Sequence, residues 1–454
     1  MVANLAEDVA AWIPDRPLAL TTDAGDWCRR GDALLARLPP RARRSADDRR
    51  WAERVQMAMR DFRAAVLTEH AEAIFLAATG EGRDVGRVEE LVYWAAERFP
   101  GLVPTLASVL AERARPQKDK EGIELDQGVF LAHMLAHPRI GAHLVQSMRR
   151  AKPGSLNLLP SFTATGVADL GSAHLRREGR VGHLHITNPA FLNAEDDALL
   201  EALETGVDLV LLDPQIEVGV LRGGIVDHPK YQGRRVFCSG INLTHLYEGQ
   251  LSFLYYVVRE LGLVNKIYRG LANTDVPEND LVHCAAEKPW IAAVETHAIG
   301  GGVQMILVAD QVLAEEGSFF TVPARNEGFI PGLANLRLPR VVGHRLARQM
   351  IYFNHKIMAD SPEGRLLVDE VVPRGEMDSA IERTVDTLLG SGLSGLAGNR
   401  RAFRIGEEPL ETFRAYMASF SIEQAVCLFS PELIENLERH WTSRHRDDVK
   451  RETR

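Results

Sequence analysis

Three consecutive glycines in the run His297-Ala-Ile-Gly-Gly-Gly-Val-Gln304 constrain this chain more than any other feature. The run follows the strand-like segment Pro289-Trp-Ile-Ala-Ala-Val294 and precedes an apolar stretch at 303–309. Glycines between a strand and a helix let the backbone approach a ligand at a helix N-terminus, where free N–H groups favour negative charge. The run lacks the GK[ST] of a phosphate loop and the G-x-G-x-x-G of a dinucleotide fold. It therefore predicts an N–H group directed at a developing oxyanion, which is a catalytic arrangement.

A second glycine turn precedes the first, in Val236-Phe-Cys-Ser-Gly-Ile-Asn-Leu243. Again a strand-like segment stops at small residues and a helical segment begins. Two such turns, each presenting one N–H group, would bracket a carbonyl oxygen from two sides. Removing one donor of this kind typically costs about 3 kcal/mol of transition-state stabilisation.

Composition excludes several classes of protein. The 454 residues are 45% apolar and 25% charged, ordinary values for a globular chain that can bury a large core. A net charge of −9 argues against nucleic acid or an anionic membrane as the main partner. No secretory signal is apparent, and no apolar run approaches the roughly 20 residues of a membrane helix. The four cysteines lack C-x-x-C spacing. Reduced thiols in a cytoplasmic protein are therefore expected.

Hydrophobic periodicity predicts three regions. The first, 1–175, is a helical N-terminal domain in which Pro138 interrupts one helical pattern and residues 113–122 form an exposed loop. The second, 176–375, alternates strands with helices, which indicates an α/β catalytic core. The third, 376–454, is helical, ends in a charged tail at 444–454, and is expected to serve oligomerisation. Within the core, strands are predicted at 181–187, 208–213, 218–222, 235–238, 289–294 and within 310–322, and a helix at 194–205.

Five blocks of sequence, taken together and in order, resemble the crotonase (enoyl-CoA hydratase/isomerase) superfamily. The resemblance implies a ββα spiral core, an acyl-CoA thioester ligand, and assembly into trimers or dimers of trimers. It also implies that the N–H groups of Ile241 and Gly301 bind the thioester oxygen. The blocks are Asn188-Pro-Ala-Phe-Leu-Asn-Ala194, Phe237-Cys-Ser-Gly-Ile-Asn-Leu243, Lys288-Pro-Trp-Ile-Ala-Ala-Val294 with His297-Ala-Ile-Gly-Gly-Gly302, Ile330-Pro-Gly332 with Arg337-Leu-Pro-Arg-Val-Val-Gly343, and Leu367-Val-Asp-Glu-Val-Val-Pro373.

The chain departs from the hydratases of this superfamily at both catalytic carboxylates. One glutamate of the hydratases follows the triple glycine by two residues, where this chain has Gln304. The other follows a proline, and here Pro323 is followed by Ala324. Neither glutamine nor alanine accepts a proton at neutral pH. Hydration is therefore not expected, whereas the turns that would stabilise an enolate are retained.

This combination, with a long helical N-terminal region, resembles a branch of metal- and cofactor-independent dioxygenases that act on arylacetyl-CoA thioesters in glycopeptide-antibiotic biosynthesis. The branch implies an enolate of a 3,5-dihydroxyphenylacetyl thioester that passes electrons directly to O2 in a dry pocket. The products are an arylglyoxylate and free CoA. Neither metal nor flavin is required, because the substrate is itself the reductant. We expect the N-terminal helices to help seal the pocket.

Polar residues near the two turns are candidates for binding this substrate. Arg259 lies in an apolar helix where a guanidinium needs a partner, and Glu195 is the obvious one. The amide of Gln304, in the first turn of the helix behind the second glycine turn, is expected to meet the substrate. The remaining candidates for substrate binding are Ser239, Gly240, Asn242, Gly302, Tyr231, Arg325 and Asn326.

Each candidate has an alternative interpretation. Glu195 suits a helix N-terminus through the dipole, Arg259 suits an inter-subunit contact, and Gln304 suits a satisfied polar position at a helix start. Basic residues at Lys230, Arg234 and Arg235 are equally compatible with CoA phosphates and with a solvated loop. His70 with Glu72, and the pair His133/His137, are interpreted as solvated or capping residues rather than iron ligands. His183 and His185 alternate on a predicted strand and share one face, but no carboxylate partner is evident for them. His297 is interpreted as a packing residue or a catalytic one.

Two further functions remain open on the sequence alone. One is another enolate-forming acyl-CoA enzyme, such as an isomerase, decarboxylase or thioesterase. The other is a non-catalytic acyl-CoA-binding scaffold that lost its glutamates. The retained glycine turns count against a scaffold, since a scaffold has no use for an oxyanion hole.

Overall fold

The computed structural model describes residues 2–13, 22–82, 86–273, 285–390 and 392–439. The chain divides into two compact units. Unit 1 consists of Met1–Ser147, Thr244–Leu254 and Glu411–Arg454, and unit 2 of Met148–Leu243 and Tyr255–Leu410. All the candidate site residues belong to unit 2. The three-part division predicted from the sequence stays a prediction, and the charged tail at 444–454 lies outside the described residues.

Helices dominate both ends of the described chain. No described helix is both long and apolar enough to cross a membrane. The helices are α1 (Val2–Trp12), α2 (Thr22–Ala36), α3 (Ala46–Ala78), α4 (Val88–Arg98), α5 (Leu106–Arg113), α6 (Leu125–Ala136), α7 (Pro138–Met148), α8 (Pro153–Thr165), α9 (Asp197–Leu212), α10 (Leu243–Tyr247), α11 (Phe253–Val258), α12 (Asn265–Arg269), α13 (Gly301–Ile306), α14 (Ala324–Glu327), α15 (Ala334–Val342), α16 (His344–Phe353), α17 (Met377–Gly390), α18 (Leu393–Glu407), α19 (Leu410–Leu428) and α20 (Pro431–Leu437). A π-helix, Arg259–Val264, joins α11 to α12.

Strands occur only in unit 2 among the described residues. They are β1 (Val167–Asp169), β2 (Ala173–Glu178), β3 (Val181–Ile186), β4 (Val218–Gly223), β5 (Leu271–Ala272), β6 (Ala285–Ala286), β7 (Trp290–Val294), β8 (His297–Ile299), β9 (Gln311–Glu315), β10 (Phe319–Thr321), β11 (Ile357–Met358) and β12 (Glu370–Val372).

Unit 1 is held by aromatic stacking and by buried ion pairs. The indoles of Trp12 and Trp27 stack with centroids 4.3 Å apart, and each Nε1–H donates to the other residue's carbonyl, at 3.0 and 3.1 Å. Arg63 Nη1 meets Asp126 Oδ2 at 2.6 Å in the interior. Pro138 opens α7 directly after α6 ends, as the sequence predicts, because proline fits the first position of a helix and not its middle.

One expectation for unit 1 is confirmed only in part, since residues 114–116 and 118 are exposed but two of their neighbours are buried. The stretch 113–122 was expected to be an exposed loop, yet Lys120 is completely buried and Gln117 is 5% exposed. Lys120 lies near Glu124 at 3.5 Å, and the side-chain amide of Gln117 donates to the carbonyl of Leu428 at 2.8 Å. Charged composition misled the prediction because these polar groups are paired inside the unit rather than solvated.

Unit 2 is built on a seven-stranded sheet in the order β1-β2-β3-β4-β7-β9-β12. Strands β1 to β3 pair antiparallel, and the pairs from β3 to β12 are parallel. A second sheet has the order β11-β10-β8, with β10 parallel to β8. The α/β class predicted for the core is therefore confirmed. Predicted strands at 181–187, 218–222, 289–294 and within 310–322 correspond to β3, β4, β7, β9 and β10.

Two predicted strands are wrong. Residues 208–213 belong to the end and the cap of α9, which contacts β2 and β3. A short run of buried Leu and Val residues is compatible with either a strand or a helix, because a fully buried element of either kind has no polar face. Residues 235–238 form isolated bridges, Ile225 with Arg235 and Cys238 with Ala298, rather than a continuous strand.

Candidate active site

Backbone hydrogen bonds join the first glycine turn to two neighbouring segments. Cys238 pairs with the backbone of β8, where Ile299 N donates to Cys238 O at 2.9 Å. Glu195 N donates to Gly240 O and Asn242 N donates to Glu195 O, both at 2.7 Å. This parallel bridge uses the groups on either side of Ile241 and leaves the Ile241 N–H facing away from Glu195.

The second turn begins where β8 ends. Gly300 adopts φ 52° and ψ −109°, a conformation that favours glycine, and its N–H donates to the carbonyl of Thr321 at 2.9 Å. Gly301 is then the first residue of α13, so its N–H has no acceptor within the helix. The turn therefore presents one amide at a helix N-terminus.

The two turns lie against each other at the level of the backbone. A β-carbon on Gly240 would lie 3.1 Å from Ile299 O, and one on Gly300 would lie 3.6 Å from Gly240 Cα. Within the described chain, the hydrogen bonds engage neither Ile241 N–H nor Gly301 N–H. Both residues also keep part of their surface accessible among buried neighbours. Two unused donors on adjoining turns are what an oxyanion hole requires.

Arg259 lies directly behind the second turn and is 4% exposed. Its Nε and Nη2 meet Glu195 Oε2 and Oε1 at 2.6 and 3.1 Å, which makes a bidentate pair. Nη1 donates to Glu260 Oε1 at 2.6 Å and to Gln304 Oε1 at 3.0 Å, and Nη2 also donates to Gly301 O at 2.8 Å. One guanidinium thus ties a helix, a turn and two carboxylates together.

The charges around Arg259 decide its ionisation. Burial by itself lowers the pKa of this guanidinium, but the carboxylates of Glu195 and Glu260 outweigh it and hold the pKa well above its ordinary value. Burial also raises the pKa of Glu260, against the lowering effect of Arg259. Arg259 therefore stays protonated next to the second turn, paired with two glutamates.

Gln304 presents its amide with a defined orientation. Its Oε1 accepts from Arg259, so its NH2 group faces away from the guanidinium. No described residue accepts a hydrogen bond from that NH2 group. Gly332, of the Ile-Pro-Gly block, packs so closely that a β-carbon there would collide with the side chains of Gln304 and Glu260. The glutamine is thus held as a donor.

The hydroxyl group of Ser239 holds the first glycine turn in place through two contacts. Ser239 Oγ donates to Leu192 O at 2.8 Å and lies 2.8 Å from His297 Nε2. Since the hydroxyl proton is used on the carbonyl, Nε2 is the donor to Ser239. Burial lowers the pKa of His297 to about 4, so the ring is neutral and cannot also serve as a base toward Ser239. The Tyr231 ring packs 5.4 Å from that of His297.

The other predicted binding residues lie at several distinct positions. Asn242 is buried, and its Nδ2 donates to Asp196 Oδ2 at 3.3 Å. Gly302 packs on the first turn, since a β-carbon there would lie 2.9 Å from Cys238 Cβ. Arg325 is exposed and donates to Tyr352 O at 2.9 Å, and Asn326 is half-buried in α14. Their roles in substrate binding stay predictions.

Two of the three basic residues considered for CoA phosphates have partners in the protein. Arg234 pairs with Glu315, and Arg235 Nη1 donates to Gly223 O at 3.2 Å. Lys230 is exposed, with its ammonium 5.1 Å from the Tyr231 ring centroid. Lys230 is therefore the member of this group whose charge is best placed for a ligand.

The histidines considered as iron ligands have other neighbours. His133 Nδ1 donates to Val129 O at 2.8 Å, and Ile140 N donates to His137 Nδ1 at 3.5 Å. The rings of His183 and His185 lie 6.4 Å apart in a groove beside Arg222, and burial lowers the pKa of both. No cluster of three or more His, Cys, Asp or Glu side chains suited to a metal ion occurs in the described residues.

Sequence reasoning missed one residue of the site and one contact between residues it had named. Glu260 is the second carboxylate on Arg259, and its position directly after the arginine in an apolar helix was the available signal. The Ser239–His297 contact joins residues 58 apart in sequence and had no local signal.

The chain is similar in sequence to several known proteins. Residues 176–393 match the sequence model of the enoyl-CoA hydratase/isomerase family. The chain is 44% identical over 407 residues to a (3,5-dihydroxyphenyl)acetyl-CoA 1,2-dioxygenase of Amycolatopsis orientalis, covering 89% of this chain and 92% of the relative. It is 30% identical to a crotonyl-CoA hydratase of Syntrophomonas wolfei subsp. wolfei, covering 48% of this chain and 75% of that protein.

A solved enoyl-CoA hydratase of Mycobacterium avium subsp. paratuberculosis K-10 superposes with a TM-score of 0.49 and 20% identity, covering 61% of this chain and 97% of that one. The similarity to the hydratase of S. wolfei covers about half of this chain, whereas the similarity to the dioxygenase is longer than the segment 176–393 and includes residues outside it. The chain therefore belongs to the enoyl-CoA hydratase/isomerase family, and within it to the group that contains the (3,5-dihydroxyphenyl)acetyl-CoA dioxygenase of A. orientalis.

Proposed function

We propose that this protein is a dioxygenase that needs neither metal nor organic cofactor. It converts (3,5-dihydroxyphenyl)acetyl-CoA and O2 to 3,5-dihydroxyphenylglyoxylate and free CoA. The observation that carries the proposal is the 44% identity to a (3,5-dihydroxyphenyl)acetyl-CoA 1,2-dioxygenase over 89% of the chain. The site geometry supports it, because the glycine turns are kept while Gln304 replaces a proton-transferring glutamate.

The two unused amides suit the first chemical step. The thioester oxygen binds Ile241 N–H and Gly301 N–H, and gains negative charge when a proton leaves the α-carbon. Each donor is worth about 3 kcal/mol to such a transition state. The bond between Arg259 Nη2 and Gly301 O fixes the second turn before the substrate arrives, so the donors need not reorganise.

The polar network behind the second turn suits a dihydroxylated ring. Gln304 has an NH2 group to donate, and Glu195 has oxygens that accept a phenolic hydrogen. Arg259 keeps both side chains in one orientation. Ser239, Gly240, Asn242 and Gly302 shape the turns around the acyl group, while Tyr231, Arg325 and Asn326 are proposed for the rest of the thioester.

The oxidation step balances without an added reductant. The enolate gives its electron pair to O2, and a bond forms between the α-carbon and one oxygen atom. The distal peroxide oxygen then attacks the thioester carbonyl carbon, and the C–S bond breaks to release CoA thiolate. Cleavage of the O–O bond with loss of the second α-proton gives the keto acid. Both atoms of O2 enter the product, and the substrate supplies all the electrons.

We further propose a cytoplasmic homo-oligomer, a trimer or a dimer of trimers, that acts in glycopeptide-antibiotic biosynthesis. Family membership supports the oligomer, and the free thiols of Cys28, Cys238 and Cys427 suit a reducing compartment. The net charge of −9 makes nucleic acid an unsuitable partner.

An oxygen electrode tests the function. Purified protein is stripped of metal with a chelator and given a panel of arylacetyl-CoA thioesters that differ in ring hydroxylation. We expect O2 uptake with stoichiometric CoA release, highest for the 3,5-dihydroxyphenyl thioester and unchanged by chelator. Iron-dependent uptake would overturn the proposal, as would turnover without O2, and an inert protein that binds the thioester would indicate a scaffold.

A further inference from the structure

The guanidinium of Arg259 has an acceptor in the described chain for each of its five N–H donors. Nε and Nη2 donate to the two oxygens of Glu195, and Nη2 also donates to Gly301 O. Nη1 donates to Glu260 Oε1 at 2.6 Å and to Gln304 Oε1 at 3.0 Å. Each donor is used once, so the loss of any one acceptor leaves a buried N–H group without a partner.

Glu260 and Gln304 meet at a single nitrogen atom, Nη1 of Arg259. Nη1 only donates hydrogen bonds, so the atom of Gln304 that faces it is the amide oxygen and the NH2 group points elsewhere. Gly332 shows how close the two acceptors lie, because a β-carbon there would be 2.2 Å from Gln304 Oε1 and 2.4 Å from Glu260 Oε1. A shift of Nη1 would therefore release the amide of Gln304.

Arg259 and Glu260 are consecutive residues, yet both are buried, at 4% and 2% exposed. They open the π-helix that joins α11 to α12, whose hydrogen bonds span one residue more than those of an α-helix. The wider turn rotates successive side chains by less than the roughly 100° of an α-helix, so both face the same network. Lys266 Nζ anchors the following turn to α9, at 2.8 Å from Glu204 Oε1 and 2.7 Å from Asp208 Oδ1. The backbone that carries the two side chains is thus held in place.

The charges around Glu260 come from two arginines. Its Oε1 accepts from Arg259, whereas Oε2 is buried without a hydrogen-bond partner among the described residues. Arg337, itself bound to Glu408 at 2.8 and 3.0 Å, interacts electrostatically with Glu260. Burial raises the pKa of Glu260, and both arginines act to lower it. Neither oxygen position suits an NH2 group, because a donor at Oε1 would face Nη1 and a donor at Oε2 would lie in the field of Arg337.

We propose that Glu260 is a positioning residue of this site and sets its selectivity for hydroxylated rings. The inference rests on the proposed function. Glu260 holds Nη1 of Arg259, Nη1 holds the amide oxygen of Gln304, and the NH2 group of Gln304 donates to a ring hydroxyl of the thioester. Glu260 itself touches neither the substrate nor O2. Its loss therefore weakens recognition of the ring hydroxyls, whereas a thioester without ring hydroxyls is bound as before.

Thioester binding under nitrogen measures recognition apart from turnover. Dissociation constants of (3,5-dihydroxyphenyl)acetyl-CoA and phenylacetyl-CoA are measured by calorimetry for the wild type and for Glu260→Gln. We expect the wild type to bind the dihydroxylated thioester more tightly. In Glu260→Gln the dissociation constant of that thioester should rise about tenfold, the typical effect of losing one hydrogen bond. The dissociation constant of phenylacetyl-CoA should change less than about twofold, since this ring offers Gln304 no hydroxyl.

A double-mutant cycle tests whether Glu260 acts through Gln304. Gln304→Ala removes the amide and should also weaken binding of the dihydroxylated thioester about tenfold. Adding Glu260→Gln to Gln304→Ala should then cost less than about twofold more, whereas independent effects would multiply to about 100-fold. Glu316→Gln is the matched control, since Glu316 is an exposed residue in the turn after β9, and it should bind both thioesters like the wild type.

The outcomes separate this inference from the proposed function. Unchanged binding in Glu260→Gln, equal weakening of both thioesters, or multiplied effects in the cycle would each overturn the positioning role. A wild type that binds both thioesters equally would overturn it as well, and would leave the enolate chemistry at the glycine turns standing. A wild type that selects the dihydroxylated thioester yet takes up no O2 would overturn the dioxygenase function, while ring recognition through Glu260 stands.

Glu260→Asp covers the case in which Glu260→Gln does not fold. Aspartate keeps the negative charge between the two arginines but draws the carboxylate back from Nη1 by one methylene group. We expect the same selective loss of about tenfold for the dihydroxylated thioester. Wild-type selectivity in Glu260→Asp would overturn the inference.

Discussion

Nη1 of Arg259 donates a 3.0 Å hydrogen bond to Oε1 of Gln304, at a position where hydratases of this family carry a glutamate. The same nitrogen also donates to Glu260 Oε1 at 2.6 Å. A neutral amide at 304 therefore leaves Arg259 with two carboxylate partners and two uncharged ones, the Gln304 amide and the Gly301 carbonyl. The substitution changes the electrostatics of the site, as well as removing a proton carrier.

Replacing Gln304 by glutamate should abolish dioxygenase activity without creating hydratase activity. The variant would place a third carboxylate around Arg259 and replace the NH2 donor by an acceptor. Hydration would still lack its second glutamate, since Ala324 cannot accept a proton. We expect a loss of at least about 100-fold in O2 uptake, a range typical for removal of a positioned donor, and no hydration of crotonyl-CoA.

Gln349→Glu makes the same chemical change on an exposed face of α16 and should leave O2 uptake unchanged. Wild-type oxygenation by Gln304→Glu would mean that the amide does not touch the substrate. Measurable hydration would mean that another residue supplies the second carboxylate.

Replacing Gly301 by alanine should impair catalysis although the N–H donor is retained. A β-carbon at 301 would collide with the Glu195 carboxylate and lie 2.9 Å from Arg259 Nη2, so the turn must move away from the network. Displacing one oxyanion donor costs about 3 kcal/mol, which corresponds to a drop of about 100-fold in kcat. The measurement is kcat for O2 uptake at saturating thioester.

Gly154→Ala is the control for the Gly301 variant. Gly154 also lies in the first turn of a helix, α8, and a β-carbon there would meet nothing within 4 Å. This variant should keep full activity and be stabilised by up to about 1 kcal/mol, since alanine loses less backbone entropy than glycine. Unimpaired kcat in Gly301→Ala would argue against Gly301 as a donor.

The glycine turns and the Glu195–Arg259 pair were accessible from the sequence for physical reasons. Three glycines between a strand and a helix allow the positive φ and the close backbone approach that such a turn needs, and a guanidinium inside an apolar helix must find a carboxylate. Glu195 was the expected partner, and the structure forms that pair. Local residue spacing and the free-energy cost of burying a charge were enough to predict these two features.

Other features of the fold and the site depend on tertiary contacts, which the spacing of residues along the sequence does not reveal. Residues 208–213 were predicted as a strand because α9 is buried continuously from Ala202 to Leu211, which leaves no polar face in that part of the helix. The Ser239–His297 contact depends on β8 lying beside Cys238. The lack of an ion pair at Glu327 among the described residues depends on how 322–331 folds, and a glutamate that ends a four-residue helix carries no local sign of burial.

The buried neutral ring of His297 predicts how stability depends on pH. Its pKa is about 4 in the folded protein against an ordinary 6.5, so the unfolded chain binds a proton over this window while the folded chain does not. The free energy of unfolding therefore falls as pH drops from 6.5 to 4, by up to about 3 kcal/mol. Between pH 7 and pH 5 the expected loss from this residue is about 2 kcal/mol.

Urea unfolding of wild type and His297→Gln at pH 7 and pH 5 isolates this contribution. The variant keeps an N–H donor for Ser239 and should lose about 2 kcal/mol less on acidification. His185, whose pKa is also lowered to about 4, is present in both proteins and cancels in the comparison. Parallel losses in the two proteins would place the proton uptake elsewhere.

The enclosed carboxylate of Glu327 predicts the opposite dependence. With a pKa near 7 in the folded protein against an ordinary 4.5, the folded chain holds a proton that the unfolded chain releases. Stability is then highest at low pH and falls as pH rises from 4.5 to 7. Glutamine has no charge to desolvate, so Glu327→Gln should be more stable than wild type at pH 8, by about 1 to 3 kcal/mol, and equal to it near pH 4.

Thermal and urea unfolding at both pH values measure this difference, with Glu316→Gln expected to match the wild type throughout. A variant that is stabilised at pH 8 indicates that burial of the charged carboxylate costs the wild type free energy of folding. Destabilisation of Glu327→Gln at pH 8 would show that a neighbouring cation holds this carboxylate in its charged form.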